Sequence, residues 1–365
     1  MPAARLDRIT VRRLEVPLVT PYRLAFGTVE RFDTIVVECV ACDGRVGLGE
    51  ATVLTGYTDE TIEGAWRAAR DIAAGLAGLD AESAQRSVAQ HVAERPFTAT
   101  AFGTALEMLE HSADIEIERE TPVPILGLLN ASGEQAMHVE LEGLLAAGYR
   151  TLKVKVGTGV AKDIAHLRTA QRLLRGRARI RIDANQGYSA EDGVAFVRAL
   201  DPAGVELFEQ PCAAGDWEAH LAVAGASGVP MMLDESIYGL ADIERAAELR
   251  AARFVKLKLM KLGSLSALAQ ALEHIRALGM TPVLGNGVAC DLGCWMEACV
   301  AARHVDNAGE MNGFLKARAQ LLSEPLEVCE AAIRLKPGFA PRLAVERLDP
   351  FIVATHHESG RSHRV

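Results

Sequence analysis

The chain has 365 residues, 49% of them hydrophobic by type, with a formal net charge of -9 at pH 7 and seven cysteines. That length and apolar content bury a large core, as more than one domain or as one barrel with additions, and exclude disorder of the whole chain. The acidic balance leaves no extended basic surface for a phosphate backbone, and no run approaches the roughly 18 apolar residues of a membrane span.

Nucleic acid and membrane are therefore not expected partners. Arginines at positions 5, 8, 12 and 13 interrupt the first stretch wherever a signal peptide would need an unbroken apolar core. A cytoplasmic protein with reduced thiols is the expectation.

In chain order, Arg5–Pro17 and Thr34–Glu50 read as strands joined through Thr20–Arg31, and Asp43–Gly44 turns the second into a hairpin. Cys39 and Cys42 form a C-x-x-C, but their place just before that turn favours hairpin residues over a redox or zinc pair. Thr58–Leu76, Ala81–Glu94 and Thr98–Ile117 carry helical apolar spacing, with Thr58 and Asp59 as caps of the first. Strands followed by helices predict an α+β domain over residues 1–121.

After Pro122, short β-rich runs alternate with amphipathic stretches. The runs are Val123–Leu128, Thr151–Val156, Arg179–Ile182, Leu207–Glu209, Pro230–Leu233, Phe254–Lys258, Pro282–Leu284 and a weaker one at Ala308–Met311. About eight βα steps predict an α/β fold of the (β/α)8 barrel type over residues 122–340. No glycine-rich phosphate loop follows the first run, which disfavours an open doubly wound sheet. Cys290, Cys294 and Cys299 have helical spacing and read as buried thiols, and Trp295 as pocket wall or core. Residues 341–365 are expected to return to the first domain and to fray from His356.

Charged residues recur where these strands end: Lys153 and Lys155, Asp183 and Asn185, Glu209, Asp234, then Lys256 and Lys258. The steps from Lys155 to Asp183, Glu209, Asp234 and Lys258 are 28, 26, 25 and 24 residues, each about one βα unit. In a barrel they converge on the C-terminal mouth, where such folds do chemistry. Three carboxylates there repel one another unless a cation neutralises them. All-oxygen ligation suits Mg²⁺, or Mn²⁺, better than zinc, because no His or Cys stands at a matching strand end.

In Thr151-Leu152-Lys153-Val154-Lys155 the lysines share one face, and their mutual repulsion near a metal should lower the pKa of Lys155 towards that of a general base. Taken singly, each acid could be a helix cap, Asp234-Glu235-Ser236 for example, and each lysine pair an edge-strand device. A metal between two opposed lysines is an arrangement for enolisation α to a carboxylate, giving a metal-stabilised enediolate.

The motifs K-V-K-V-G, I-D-A-N-Q-G-Y, E-Q-P, L-D-E-S and L-K-L-M-K-x-G, in this order and preceded by Gly47-Leu48-Gly49-Glu50, make the sequence resemble the muconate-lactonizing-enzyme branch of the enolase superfamily. The resemblance implies a capping domain on a modified barrel. It also implies Asp183, Glu209 and Asp234 as metal ligands, with Asn185 and Glu235 beside them. Lys155 and Lys258 become the acid/base pair, Lys153 modulates Lys155, and Lys261 transfers no proton. Capping-domain loops Pro21–Thr28 and Ala51–Thr58 would contact substrate through Phe26 and Tyr57.

Two departures bear on substrate. Many relatives read G-x-M-L-E-x-x-I-G after the seventh strand, where this chain has Gly287 to Gly293 with Ala289 in place of the glutamate, and Asp291 as a candidate contact. Dipeptide epimerases carry D-x-D-G at the eighth strand, where this chain has Glu310-Met311-Asn312-Gly313, so Glu310 and Asn312 complete the substrate candidates. The implied activity is racemisation or epimerisation of an N-acyl amino acid or dipeptide. The alternatives are a muconate-type cycloisomerase, a syn-dehydratase of the o-succinylbenzoate synthase type, and a non-catalytic scaffold. The partner is a small-molecule carboxylate, and self-association is common for barrels of this size.

Overall fold

The computed structural model describes residues 5–24 and 27–360, so Phe26 lies outside the described residues. The first domain opens with β1 (Leu6–Leu24), β2 (Gly27–Ala41) and β3 (Val46–Thr52), followed by α1 (Ile62–Leu76), α2 (Ala81–Ala89) and α3 (Pro96–Leu109). Along β1, Ile9, Val11, Leu14, Val16 and Leu18 are buried, the alternation that seats one face of a sheet on a core. Thr61, rather than Thr58 or Asp59, caps α1, its hydroxyl accepting from Gly64 N at 3.1 Å.

Gly47 and Gly49 explain how closely α3 lies on the sheet. A Cβ on either would stand 1.9 Å from a helix carbonyl, that of Ala105 or of Ala101, so only glycine permits this approach. The N-terminus of α3 has no cap of its own; Glu60 supplies one, accepting from Phe97 N at 2.7 Å and Thr98 N at 3.2 Å.

The second unit alternates β4 (Thr121–Pro124), β5 (Gly127–Leu129), α4 (Glu134–Ala146), β6 (Thr151–Lys155), α5 (Val160–Leu174), β7 (Arg179–Asp183), α6 (Ala190–Ala199), β8 (Val205–Glu209) and α7 (Trp217–Ala226). It continues with β9 (Met231–Leu233), α8 (Leu240–Leu249), β10 (Phe254–Leu257), α9 (Leu265–Ala277), β11 (Thr281–Leu284) and α10 (Asp291–His304). Strands β5 to β11 form one parallel sheet in sequence order.

The weak eighth run closes the sheet. Gly309 bridges Ile125 in parallel, Leu126 N donates to Gly309 O at 2.9 Å, and Glu310 N donates to Leu284 O at 3.0 Å. Arg181, 1% exposed, fills the barrel centre and holds this seam through Ala308 O at 2.7 Å and Asn307 Oδ1 at 3.1 Å.

The run Val123–Leu128 is not one strand. Its first half belongs to β4, which pairs antiparallel with β13 (Ala332–Leu335), itself paired with β12 (Val328–Cys329); only the second half enters the barrel. After the short α11 (Val345–Leu348), β14 (Ile352–Ser359) returns to the first sheet and pairs antiparallel with β1 from Arg8 opposite Ser359 to Leu14 opposite Ile352. Residues 356–359, expected to fray, are thus hydrogen-bonded, because β1 offers them a long free edge.

The seven cysteines are free, Cys39 buried and Cys42 exposed. Trp295 is core, its ring 5.5 Å from that of Phe339. Among the described residues no helix is long and apolar enough to cross a membrane.

Candidate active site

Register places the charged side chains level with one another. Lys155 lies opposite Asp183 across β6 and β7, and Asp183 opposite Glu209 across β7 and β8. Asp234 follows one residue after β9 ends, and Lys258 one residue after β10. On β6, Leu152 and Val154 face the helices while Lys153 and Lys155 face the barrel axis.

Two inner lysines knit the row together. Lys153 Nζ lies 2.8 Å from Asp183 Oδ2, 2.9 Å from Glu209 Oε2 and 3.0 Å from Glu310 Oε2. Lys256 Nζ lies 3.3 Å from Glu209 Oε1 and 3.5 Å from Asp234 Oδ2, and it also pairs with Glu310 Oε2.

Two outer lysines stand at opposite ends. Lys155 Nζ, on a side chain about one-third exposed, is 2.7 Å from Asp183 Oδ2 and donates to Asn185 Oδ1. Lys258 Nζ is 2.8 Å from Asp234 Oδ2 and donates to Tyr57 Oη at 2.8 Å.

The loops after the strands are held by side chains that strand patterns do not reveal. Gln210 Oε1 accepts from Asp234 N at 2.9 Å and Ser236 N at 3.3 Å, while its Nε2 donates to Ser236 Oγ at 2.7 Å, fixing the Asp234-Glu235-Ser236 turn. Lys261 holds the same turn from the other side, donating to Asp234 O at 3.1 Å and Ile237 O at 2.9 Å. Asn185 N donates to Asp183 Oδ1 and its side-chain amide to Glu235 Oε1, both at 2.8 Å. Asn185 and Gln210 sit at φ 41° and 38°, backbone states that residues with a Cβ adopt rarely and that cluster at functional sites.

Charge sets the titration. Burial alone would raise the Asp183 carboxyl, but Lys153 and Lys155 hold it down to about 2. Burial likewise opposes ionisation of Asp234 and Glu310, and neighbouring lysines still carry both well below the carboxylate range. Burial and the adjacent Asp234 push Glu235 up to about 7. Facing Asp183, the Lys155 ammonium is held above its usual range: burial and Lys153 act downward, but Asp183, Tyr22 and Glu310 together act upward and prevail.

Asp183, Glu209 and Asp234 fit a hard divalent cation in kind: three carboxylates on adjacent strands, each at most 1% exposed, with no competing His or Cys. Asp234 Oδ1 and Glu235 Oε2 are buried without a hydrogen-bond partner, lone pairs such an ion would use. As they stand, these side chains turn towards lysines, and among the described residues no three metal-binding side chains are grouped around one point.

The mouth is lined by Tyr22, Tyr57, Lys153, Lys155, Asn185, Asp234, Lys256, Lys258, Asn286, Gly287, Val288 and Glu310, and the space left is about 20 Å³, of the order of one water. Tyr57 closes it, its ring centroid 4.0 Å from Lys258 Nζ and its carbonyl accepting from Tyr238 Oη. Glu50 ties the capping sheet to α10, accepting from Cys290 N at 2.6 Å and Gly293 N at 2.8 Å.

The structure brings Lys153, Lys155, Asp183, Asn185, Glu209, Asp234, Glu235, Lys258, Tyr57 and Glu310 together. Asp291 is elsewhere, fully buried and accepting from Leu321 N at 2.7 Å and Leu322 N at 2.9 Å; an acid at a helix start was mistaken for a pocket residue. Asn312 also misses the pocket lining, bonding Leu126 O and Lys316 Nζ. Tyr22 and Asn286 line the mouth and were missed, since a lone tyrosine or amide carries no periodic signal.

Residues 136–343 match the family model described as enolase C-terminal domain-like, and residues 8–114 that of the mandelate racemase / muconate lactonizing enzyme N-terminal domain. The chain is 31% identical to an L-Lys-D/L-Arg epimerase of Methylococcus capsulatus, over 84% of this chain and 91% of that one. It is 27% identical to muconate cycloisomerase 1-2 of Acinetobacter lwoffii, over 94% of each. Its fold superposes with a TM-score of 0.87 on a dipeptide epimerase from Cytophaga hutchinsonii complexed with Mg and D-Ala-L-Val, at 20% identity over 97% of this chain and 99% of that one.

Proposed function

Because this chain belongs to the mandelate racemase / muconate lactonizing enzyme family of the enolase superfamily, we propose that it racemises or epimerises an amino-acid derivative, an N-acyl amino acid or a dipeptide, by moving the proton α to its carboxylate. The observation that carries this reading is the placement of Lys155 and Lys258 at opposite ends of one carboxylate row, against Asp183 and Asp234.

Asp183, Glu209 and Asp234 would hold Mg²⁺, with Mn²⁺ as the alternative, and Asn185 and Glu235 would orient them. When bound, the cation offsets the negative charge that builds on the substrate carboxylate as its α-proton leaves. Lys155 and Lys258 then work from opposite faces, one removing the proton and the other returning it. Each becomes a base only once its aspartate has a partner other than its own ammonium. Lys153 and Lys256 stay ion-paired beneath and keep the row in register, while Tyr57 excludes water above Lys258.

The test is a screen of Mg²⁺-loaded protein in D2O against N-acyl amino acids and dipeptides, read by mass. Both enantiomers should gain one deuterium, and EDTA should abolish the gain. No exchange across the panel overturns the reading.

A cycloisomerase or syn-dehydratase is the second reading, favoured by Glu310 standing as the single carboxylate on the last strand, already shared by two lysines. A lactone formed from a muconate-like diacid, or water lost from a β-hydroxy acid, would select it.

A further inference from the structure

The two outer lysines leave the barrel from backbone that is held in different ways. The N–H after Lys155, that of Val156, donates to Asp183 O at 2.9 Å and so continues the parallel ladder between β6 and β7. The corresponding N–H after Lys258, that of Leu259, leaves the ladder and donates to a side chain, Glu297 Oε1, at 2.9 Å. The carbonyl of the same peptide accepts from Lys261 N at 3.1 Å, and the peptide before Lys258 is held by Gly285 N, which donates to Leu257 O at 3.2 Å. With both flanking planes fixed, Lys258 keeps φ -135° and ψ 131°, and those two angles set the direction in which its side chain starts towards the mouth.

Glu297 comes from the middle of α10, which is not the helix that follows β10 in the chain, and it is 1% exposed. Its other oxygen accepts from Asn286 N at 2.9 Å, so a single carboxyl ties the end of β10 to the loop after β11. Asn286 lines the mouth together with Lys258. Burial pushes the Glu297 carboxyl up to about 7, an opposition that an apolar side chain in the same core position would not meet. An apolar side chain could not, however, accept from Leu259 N and Asn286 N, and two buried N–H groups would lose their partners.

The grip on Lys258 is braced from the capping domain. Glu50 holds the start of α10 through Cys290 N and Gly293 N, and Thr100 of α3 donates to Leu259 O at 3.4 Å. On the Lys155 side the loop is held by Asp163 of α5, the next helix in the chain, which accepts from Gly157 N at 3.0 Å and Thr158 N at 2.9 Å. Separate carboxyls on separate helices thus support the two amines.

We infer that Glu297 is a positioning residue for Lys258: by gripping the peptide that follows this lysine together with the loop after β11, it sets how the amine reaches over the carboxylate row, and it has no such hold on Lys155. The inference rests on the proton-transfer reading and adds that the two faces are held independently. Loss of the grip leaves Lys258 present but misaimed, which impairs one face of the reaction and spares the other.

E297Q is the discriminating variant. It keeps the shape of the side chain, but an amide has one oxygen, so its NH2 must face either Leu259 N–H or Asn286 N–H and one bond is lost. The experiment follows deuterium gain in D2O by Mg²⁺-loaded protein on each enantiomer of an N-acyl amino acid or dipeptide. E297Q should slow exchange of one enantiomer roughly tenfold to a hundredfold and that of the other less than about twofold, as expected for a group displaced by up to about 1 Å. The slowed enantiomer should be the one that K258A silences. Equal slowing of both, slowing of neither, or slowing of the one that K155A silences overturns the inference.

A measurement without substrate separates the two readings. In protein whose lysines are isotopically labelled at Cε, with the signals of Lys155 and Lys258 assigned through K155R and K258R, E297Q should shift the carbon resonance of Lys258 more than that of Lys155. An equal or smaller shift at Lys258 overturns the positioning role whatever the substrate. The larger shift at Lys258 in a protein that exchanges no probe upholds the positioning role and refutes proton transfer.

Discussion

The molecule buries carboxylates in two places and surrounds them differently. Inside the barrel, Asp183, Asp234 and Glu310 face ammonium groups and are held ionised, Asp183 down to about 2, while Glu209 and Glu235 are raised by burial and by the carboxylates beside them. Around α10 and its contacts with the capping domain, Glu50 and Glu297 meet only backbone N–H groups, and burial pushes them up to about 8 and about 7. The first set stores charge that a bound cation and substrate can use. The second shapes and clamps, each carboxyl oxygen accepting from one backbone N–H. A buried acid is therefore informative about chemistry only together with what faces it.

Removing the outer amines tests that contrast most severely. K155A and K258A should each slow interconversion of enantiomers by about a thousandfold, within the range for loss of a general acid or base. The two variants should differ in which enantiomer still exchanges its α-hydrogen in D2O; identical profiles would mean that both lysines serve one face.

Breaking the inner network should reach stability as well. E310Q leaves Lys153 and Lys256 with Glu209 as their remaining shared carboxylate and should cost about 3 kcal/mol of unfolding free energy by denaturant titration. On the clamping side, G49A drives a Cβ towards Ala101 O, 1.9 Å away, and should cost roughly 1–3 kcal/mol by overpacking while leaving the barrel charges untouched.

A further effect is one of pH. Glu50 has a folded pKa near 8 against an ordinary 4.5, so its contribution is fully present below pH 4.5 and is lost as pH rises through about 8. Glu297 loses stability over an overlapping window, so the difference between wild type and E50Q isolates Glu50. The denaturant midpoint of wild type should fall more steeply than that of E50Q between those limits.

Much of this contrast was legible in the sequence on one side only. The acids and lysines at steps of 24 to 28 residues announced the barrel and its mouth, because each step is one strand and helix and the residues share one end of their strands. Val123–Leu128 misled because a continuous apolar run does not say that its halves pair with different sheets.

Glu50 stood inside a quoted motif without revealing that it would clamp a helix some 240 residues away. Gln210 and Arg181 were silent for the same reason: their partners, Asp234 and the seam at Asn307–Ala308, meet them only after folding. Asp291 shows the converse, an acid in a suggestive stretch whose use is local bracing.

The space beside Lys258 is of the order of one water, smaller than the amino-acid derivative proposed as substrate. Under that proposal Tyr57, which bonds Lys258 and accepts from Tyr238, would have to part from both for substrate to enter and product to leave. The turnover number would then become sensitive to solvent viscosity whenever that parting is slower than proton transfer.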